Sequence, residues 1–360
     1  MYQPKFLISN AILKSIGVVE ACREVINTAP IVPVWEKKFS DEATLRTVHF
    51  GTAVEGNTLS FDQVREVLEG KEVIAKDRDI QEVLNYKKVA NYIDRLWESH
   101  YLANGDSPFF YSEEMLKRIQ ELTVDKIVED KDAGQYRTVS VIIRSIRTGQ
   151  PVLKAPLSHE VPYLIGDFLQ WLNSIEGRQI HAVLRAGMTH YVLAAIHPFV
   201  EGNGRTARAF ANLVMMAEGY EIKKFFSLEE HFDREVLTYY DVLQAVSSQD
   251  ENLNNRDLTV WLEYFTSVVA IELSRIKEQV QKLSLDDRLK NKVGRQLALS
   301  ARQMNLVQFM KDHESISIKE AKTILRGVSD DSILRDLRDL MDKKLVKKFG
   351  ATKSARYSLV

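Results

Sequence analysis

Helical periodicity runs through most of this 360-residue chain and limits the folds that it can adopt. In eight segments, apolar residues recur every three to four positions, a spacing that gathers them on one face of a helix. These segments are residues 41–69, 77–98, 111–127, 158–174, 180–196, 204–218, 231–247 and 257–281. With 45% of its residues apolar, a chain of this length can bury more than one core. We therefore predict a mainly α protein with two or three domains.

The last part of the chain, residues 297–360, predicts a separate small domain. Three helices are expected, followed by two short strands separated by Gly350. The polar residues 282–296 before them predict either a linker or the tail of a long helix. The helices are predicted over 300–310, 317–325 and 330–344, and the strands over 345–349 and 355–360. This order resembles a winged-helix domain.

The charge of this C-terminal part supports two kinds of partner equally. Residues 290–360 hold 16 basic and eight acidic side chains, a net charge of +8 that suits phosphate contacts. The third predicted helix, however, carries five aspartates, which would repel a DNA backbone: Asp330, Asp331, Asp336, Asp339 and Asp342. DNA binding and packing against another protein, or against a second copy in a homodimer, therefore both stay open.

Residues 197–208, His-Pro-Phe-Val-Glu-Gly-Asn-Gly-Arg-Thr-Ala-Arg, carry the strongest chemical signal in the chain. Gly202 and Gly204 form a loop that opens a predicted helix, where free N–H groups and the positive end of the helix dipole suit a phosphate. Arg205 and Arg208 share one face of that first turn. Two cations at a positive helix end repel each other unless an anion lies between them. The segment therefore predicts a phosphate-binding site.

Two further side chains in this segment predict chemistry on that phosphate. A carboxylate such as Glu201 would repel a neighbouring phosphate unless a cation lay between them, and Mg²⁺ is the cation that proteins usually hold there. His197 has an ordinary pKa near 6.5, so it can accept a proton at neutral pH. His197 is therefore the candidate base.

The pattern His197-Pro-Phe-x-Glu-Gly-Asn-Gly-Arg-x-x-Arg208 resembles the complete signature of the Fic (filamentation-induced-by-cAMP) family. Its members are mostly adenylyltransferases, which move AMP from ATP onto a hydroxyl side chain of another protein. The resemblance implies that His197 deprotonates a Ser, Thr or Tyr hydroxyl, that Glu201 holds Mg²⁺, and that Phe199 packs in the core. It implies ATP contacts for the rest of the motif, with an anion cradle at its glycine loop and outer phosphates on its arginines: Gly202, Asn203, Gly204, Arg205, Thr206, Ala207 and Arg208.

Other segments resemble further parts of this family. Residues 134–143 resemble the strand leading into its flap, a hairpin that clamps the target segment, and alternating β-branched residues support a strand there. By this resemblance four residues would lie against the nucleotide or target: Ile143, Arg144, Ser145 and Ile146. The segment around Tyr240 resembles the helix that borders adenine, with Tyr240 as the ring contact. Ser247 stands where the family often has an Asn.

Residues 52–57, Thr-Ala-Val-Glu-Gly-Asn, resemble the inhibitory helix of the family. The resemblance implies that Glu55 contributes to the ATP site by pairing with Arg208 and blocking the position of the γ-phosphate. The family pattern has Ser or Thr four residues before the glutamate, where this chain has Gly51. The alternative is a surface glutamate that ends a helix at Gly56.

Together the resemblances imply a Fic helical core with a small β-hairpin flap, plus a C-terminal winged-helix-like domain. The expected parts are residues 1–110 with the inhibitory helix, 111–281 as the core, and 297–360. The implied activity is protein adenylylation with ATP and Mg²⁺, self-inhibited by Glu55. The alternatives are a DNA-binding regulator with a nucleotide-sensing core and an enzyme that also removes AMP.

Charge and cysteine content restrict the setting of this activity. A net charge of −1 argues against wholesale attraction to nucleic acid or membranes. The single cysteine, Cys22, excludes an internal disulfide framework and fits a reducing compartment. The apolar stretch 11–19 is too short to span a membrane. We therefore expect a cytoplasmic protein without a membrane anchor.

Overall fold

A computed structural model describes residues 2–29, 33–105, 107–144, 151–220, 227–283, 299–313, 315–325, 328–350 and 355–359. The chain divides into two compact units, one of residues 1–29 and 38–279 and the other of residues 30–37 and 280–360. In the described residues the mainly α prediction is confirmed. The finer division into residues 1–110 and 111–281 stays a prediction.

In its described residues the first unit is helical apart from one hairpin and one isolated bridge between Lys5 and Asp257. Its helices are α1 (Asn10–Thr28), α2 (Pro33–Ala53), α3 (Phe61–Leu68), α4 (Asp77–Asn104), α5 (Glu113–Val124), α6 (Val161–Asn173), α7 (Ile175–Gln179), α8 (Ala182–Ile196), α9 (Asn203–Met215), α10 (Glu229–Arg234), α11 (Val236–Ser247) and α12 (Thr259–Leu283). A π-helical turn, Met216–Tyr220, follows α9. Its strands are β1 (Ile142–Arg144) and β2 (Pro151–Lys154).

The central helix of this unit is α8, which is buried on nearly all sides. Such an all-round apolar helix is stable only inside a protein. It packs along α9, which also contacts α4 and α5. The loop between α8 and α9 therefore lies among closely packed helices, and this loop carries the first residues of the 197–208 motif.

The helical segment predicted over residues 41–69 overlaps two helices, α2 and α3, with Ser60 as the cap of the second. Ser60 begins α3 with a reciprocal capping box, in which its Oγ accepts from the Gln63 amide (3.3 Å) and the Gln63 side chain accepts from the Ser60 amide (2.9 Å). Gly56 has a φ of 96°, which turns the chain between the two helices. This turn places Glu55 just after the end of α2.

The flap hairpin is present but shorter than predicted. In its antiparallel register Ile142 faces Lys154 and Ile143 faces Leu153. The strand expected from residue 134 begins only at Ile142, because the preceding segment binds the α8–α9 loop instead: the Arg137 amide donates to Pro198 O over 2.9 Å. Ser145 and Ile146 lie outside the described residues.

The second unit contains the predicted three helices and two strands, with one strand that was missed. Its elements are α13 (Ala301–His313), β3 (Ile316–Ser317), α14 (Ile318–Ile324), α15 (Asp330–Asp342), β4 (Val346–Phe349) and β5 (Arg356–Leu359). The sheet order is β3-β5-β4, with both pairs antiparallel. The buried side chains of residues 306–357 form one apolar cluster. DNA binding by this unit stays a prediction.

Among the helices that the structure describes, none combines the length and the apolar character needed to cross a bilayer.

Candidate active site

The loop between α8 and α9 has a fixed shape that its sequence explains. His197 ends α8 in the left-handed region, with a φ of 51°, and Phe199 is fully buried as predicted. Gly202 has a φ of 77°, and a Cβ there would lie 2.8 Å from a methyl group of Val124 on α5. Only glycine therefore fits at this position.

Asn203 holds this loop closed with its side chain. Its Oδ1 accepts from the Phe199 amide and its Nδ2 donates to the Phe199 carbonyl, both over 2.9 Å. Its side chain is thus directed at the protein backbone, so the predicted cradle can include only its main chain. From α5, Gln120 donates to the Glu201 carbonyl (3.1 Å) and accepts from the Gly134 amide (2.6 Å). Sequence reasoning missed Gln120.

His197 is oriented and kept neutral by its surroundings. Its Nδ1 lies 3.2 Å from the Ala194 carbonyl, an acceptor, so Nδ1 carries the proton and Nε2 is left as a base. Burial lowers the pKa of His197 to about 4. Arg137, itself buried, donates to the His197 carbonyl (2.8 Å) and the Pro156 carbonyl (2.6 Å). Arg137 thereby holds the loop against the base of the flap. It lies in the flap segment that the sequence singled out, yet its role was missed.

Glu55 lies at the start of α9, where the sequence predicts a phosphate. Its carboxylate accepts from Arg208 Nη2 (2.9 Å), as predicted, and also from Arg205 Nε (2.8 Å). A Cβ at Gly204 would collide with Glu55 Oε1, so the carboxylate lies against the backbone of the first turn. Burial alone would raise the pKa of Glu55, but Arg205 and Arg208 together lower it. Glu55 is therefore an ionised anion in the anion site.

Gly51 explains why this chain departs from the family pattern four residues before Glu55. Its carbonyl accepts from Arg208 Nη2 over 2.9 Å. A Cβ at this position would collide with the ring of Tyr86 on α4. The close approach of α2 to α4 therefore needs a glycine, and the Ser or Thr of the family pattern would not fit.

Four charged side chains form a closed ring beside Glu55, and two of them were not predicted. Arg78 Nη2 donates to Glu201 (3.0 Å) and Arg78 Nε donates to Glu82 (3.1 Å). Arg205 lies 3.3 Å from Glu201 and 3.5 Å from Glu82. Arg78 and Glu82 are four residues apart on α4, which puts them on one helix face. That spacing was the only sequence signal for them.

The ring changes the argument for a metal ion. The positive charge beside Glu201 comes from Arg78 and Arg205, so charge balance alone does not require Mg²⁺. Within the described residues no group of three His, Cys, Asp or Glu side chains is arranged to hold a metal. Mg²⁺ on a nucleotide usually takes one or two carboxylates together with the phosphates. Glu201, a partly exposed carboxylate at the anion site, fits that limited part.

The structure separates the remaining predicted nucleotide contacts into two groups. Tyr240 is half-buried, 4.9 Å from the Tyr239 ring, and is available as a wall for adenine. Ser247 is buried, and its hydroxyl lies 2.9 Å from that of Tyr191, so the hydroxyl already has a partner within the protein. A contact between Ser247 and ATP stays a prediction. Thr206 and Ala207 are buried away from the face that carries the two arginines, so any contact with ATP would use their backbone.

Of the four flap residues predicted as contacts, the structure describes Ile143 and Arg144, which lie at the end of β1. Ile143 pairs with Leu153 and Arg144 pairs with Pro151 across the hairpin. This places their backbone in the flap, as the resemblance implies.

Comparison with known proteins gives a family and a fold. The Fic/DOC family model matches residues 110–215. Protein adenylyltransferase Fic of Culex quinquefasciatus is 28% identical over 230 residues, which cover 63% of this chain and 42% of that protein. Protein adenylyltransferase Fic of Aedes aegypti is 31% identical over 218 residues, covering 59% and 39%. This chain thus spans about two fifths of the length of these curated relatives.

A solved structure supports the fold over the whole chain. A Fic family protein from Desulfovibrio desulfuricans G20 matches with a TM-score of 0.67 and 22% identity, covering 100% of this chain and 98% of that one. The residues matched by the family model include His197, the glycine loop and both motif arginines. Residues 110–215 of this chain therefore match the Fic/DOC family, and the fold agrees with that of a solved Fic family protein.

Proposed function

We propose that this protein is a protein adenylyltransferase that transfers AMP from ATP to a hydroxyl side chain of a target protein and is restrained by Glu55. The observation that carries this proposal is the pairing of the Glu55 carboxylate with both Arg205 and Arg208 at the start of α9. An internal anion there indicates that the site is built for an anionic group. The two curated relatives are named protein adenylyltransferases, which supports AMP as the transferred group.

The side chains of the loop can carry the steps of this reaction. His197 Nε2, which carries no proton because Nδ1 is the protonated nitrogen, takes the proton of the target hydroxyl. The hydroxyl oxygen forms a bond to the α-phosphorus, and the bond from that phosphorus to the bridging oxygen of the β-phosphate breaks, releasing pyrophosphate. Arg205 and Arg208 bind the departing phosphates, as is general for phosphoryl transfer.

Glu201 is the residue that would hold Mg²⁺, and the ion would supply positive charge to the phosphates when bound. The short flap at β1 offers its backbone to the target segment by strand addition. The side chains of Gln120, Arg137 and Asn203 bond the backbone of Glu201, His197 and Phe199, so they act by positioning His197 and the loop.

Self-inhibition follows from competition for two cations. The terminal phosphate of ATP and the Glu55 carboxylate cannot both lie against Arg205 and Arg208 without repulsion. Removal of Glu55 shifts this balance by about 1–3 kcal/mol, which corresponds to about 5–150-fold. ATP binding and the rate of transfer should rise together.

The test is the initial rate of AMP incorporation into protein from ATP labelled at the α-phosphate. Glu55→Gly should raise this rate, and adding His197→Ala should reduce it by about 10²–10⁴-fold while nucleotide binding persists. Glu69→Gly is a matched control, because Glu69 also ends a helix before a glycine and pairs only with Lys71 on the surface. If Glu55→Gly incorporates no more AMP than Glu69→Gly, the proposal fails.

A further inference from the structure

The ring of Arg78, Glu82, Glu201 and Arg205 contains two side chains, Arg78 and Glu82, that have no role in the proposed reaction. Its four ion pairs connect the start of α4 to the 197–208 motif, with N–O distances from 3.0 to 3.5 Å. We infer that Arg78 is the resident cation of the Glu201 carboxylate, and that it competes with the divalent cation of a metal–nucleotide for that carboxylate. This inference rests on the proposed function.

The exposure of the ring shows which part can open. The side chains of Glu82 and Arg205 are 10% and 2% exposed, whereas those of Arg78 and Glu201 are 56% and 35% exposed. The pair of Arg78 and Glu201 therefore faces solvent, while the other pair is fixed. Arg78 can move into water without exposing a buried charge, because Arg205 continues to neutralise Glu82.

The charges around the site balance in a way that fits such an exchange. Three arginines, Arg78, Arg205 and Arg208, face three glutamates, Glu55, Glu82 and Glu201. A nucleotide phosphate would replace one anion, Glu55, and its metal ion would replace one cation, Arg78. The phosphate is negative like Glu55, and the metal ion is positive like Arg78. Both replacements can therefore occur without leaving an unpaired buried charge.

The two replacements are also connected through the chain. Glu82 Oε2 accepts from Asn57 Nδ2 over 3.0 Å, and Asn57 follows Glu55 by two residues. Arg205 contacts both Glu55 and Glu201. Release of Arg78 from Glu201 therefore changes a network that also holds the turn after α2, which carries the inhibitory carboxylate.

A direct role of Arg78 in binding phosphate makes a different prediction. A phosphate ligand contributes to nucleotide affinity with or without metal, whereas a competitor for Glu201 affects only the affinity that depends on metal. Arg78 donates to Glu82 and to Glu201, so its guanidinium already neutralises the carboxylate that would hold the metal ion.

The experiment measures metal binding directly, in the full-length chain with Glu55→Gly. Mn²⁺ is titrated in the presence of a non-hydrolysable ATP analogue and followed by electron paramagnetic resonance. Nucleotide affinity is measured by calorimetry in EDTA. Arg78→Gln is compared with Arg95→Gln, since Arg95 is an exposed arginine on the same helix. Arg78→Gln should lower the half-saturating Mn²⁺ concentration by about 2–5-fold, as expected for a largely exposed ion pair. The affinity in EDTA should match that of the control.

A second variant links the effect to Glu201. When Glu201→Ala is also present, Arg78→Gln should no longer change Mn²⁺ binding. The inference is overturned if Arg78→Gln binds Mn²⁺ as the Arg95 control does, if it loses nucleotide affinity in EDTA, or if its effect survives Glu201→Ala. Failure of the proposed function looks different, because Mn²⁺ binding would still depend on Arg78 while no AMP was transferred.

Discussion

A single carbon added at Gly51 should weaken the hold of Glu55 on the anion site. A Cβ there would collide with Cε1 of Tyr86 and lie 3.0 Å from its Cδ1. The ring has little room to move, because Tyr86 is buried and its hydroxyl donates to Glu229 over 3.3 Å. Gly51→Ala should therefore push the end of α2 away from α4. That displacement also loosens the bond from Arg208 to the Gly51 carbonyl.

The size of the effect can be worked from two opposing contributions. Overpacking a close contact costs about 1–3 kcal/mol. Alanine favours the helical state by about 1 kcal/mol over glycine, but this gain is the same whether α2 is docked on α4 or displaced. The higher helix propensity of alanine therefore offsets part of the loss in the free energy of unfolding. It does not offset the loss in the free energy that holds α2 against α4. Nucleotide affinity and the rate of AMP transfer should rise by about 5–150-fold, with a comparatively small fall in melting temperature.

The assay pairs calorimetric binding of a non-hydrolysable ATP analogue with the initial rate of AMP incorporation. Gly17→Ala is the matched control, because Gly17 lies within α1 and an added Cβ there meets nothing within 4 Å. The reasoning is refuted if Gly51→Ala binds nucleotide and transfers AMP as the wild type does. Equal activation by Gly17→Ala would also refute it, since the cause would then be general loosening.

Three further outcomes are expected. Burial lowers the pKa of His197 to about 4, so the imidazole is already the neutral base above that pH. The kcat/KM of the Glu55→Gly protein should therefore stay level from about pH 7.5 to about pH 5.5. A fall in kcat/KM centred near pH 6.5 would contradict this. Asn203→Ala leaves the buried amide and carbonyl of Phe199 unpaired. The free energy of unfolding in urea should therefore fall by about 1–3 kcal/mol. An unchanged free energy of unfolding would rule out the positioning role of Asn203. Residues 299–360 should fold as a separate chain, because the side chains of their apolar cluster pack on one another. A chain ending at residue 285 should retain AMP transfer. A well-folded but inactive truncation would show that the C-terminal part shapes the site.

Local features of the site could be predicted because they depend on residues close in the chain. Gly202 and Gly204 predict a loop opening a helix, and Arg205 and Arg208 are three positions apart, so the helix itself sets their common face. The structure shows that arrangement. The pairing of Glu55 with Arg208 spans 153 positions, and its prediction needed the resemblance to a known family.

Other features were decided only by tertiary packing. Arg78 and Glu201 are 123 positions apart, and no periodicity relates them until α4 packs beside α9. Ser247 was predicted as an ATP contact, and its place on α11 brings its hydroxyl to Tyr191 in the core. Sequence spacing fixes which residues share a face of one element, but not which face of another element they meet.

Gly51 illustrates this division most clearly. The sequence by itself determined the helical fold and the glycine loop that opens α9, and the family resemblance added the carboxylate of Glu55. It showed Gly51 only as a departure from a family pattern. The tertiary structure gave the reason, because the ring of Tyr86 fills the space that any side chain at position 51 would need. Steric exclusion between two helices is a property of their packing, and so it appears only when both helices are in place.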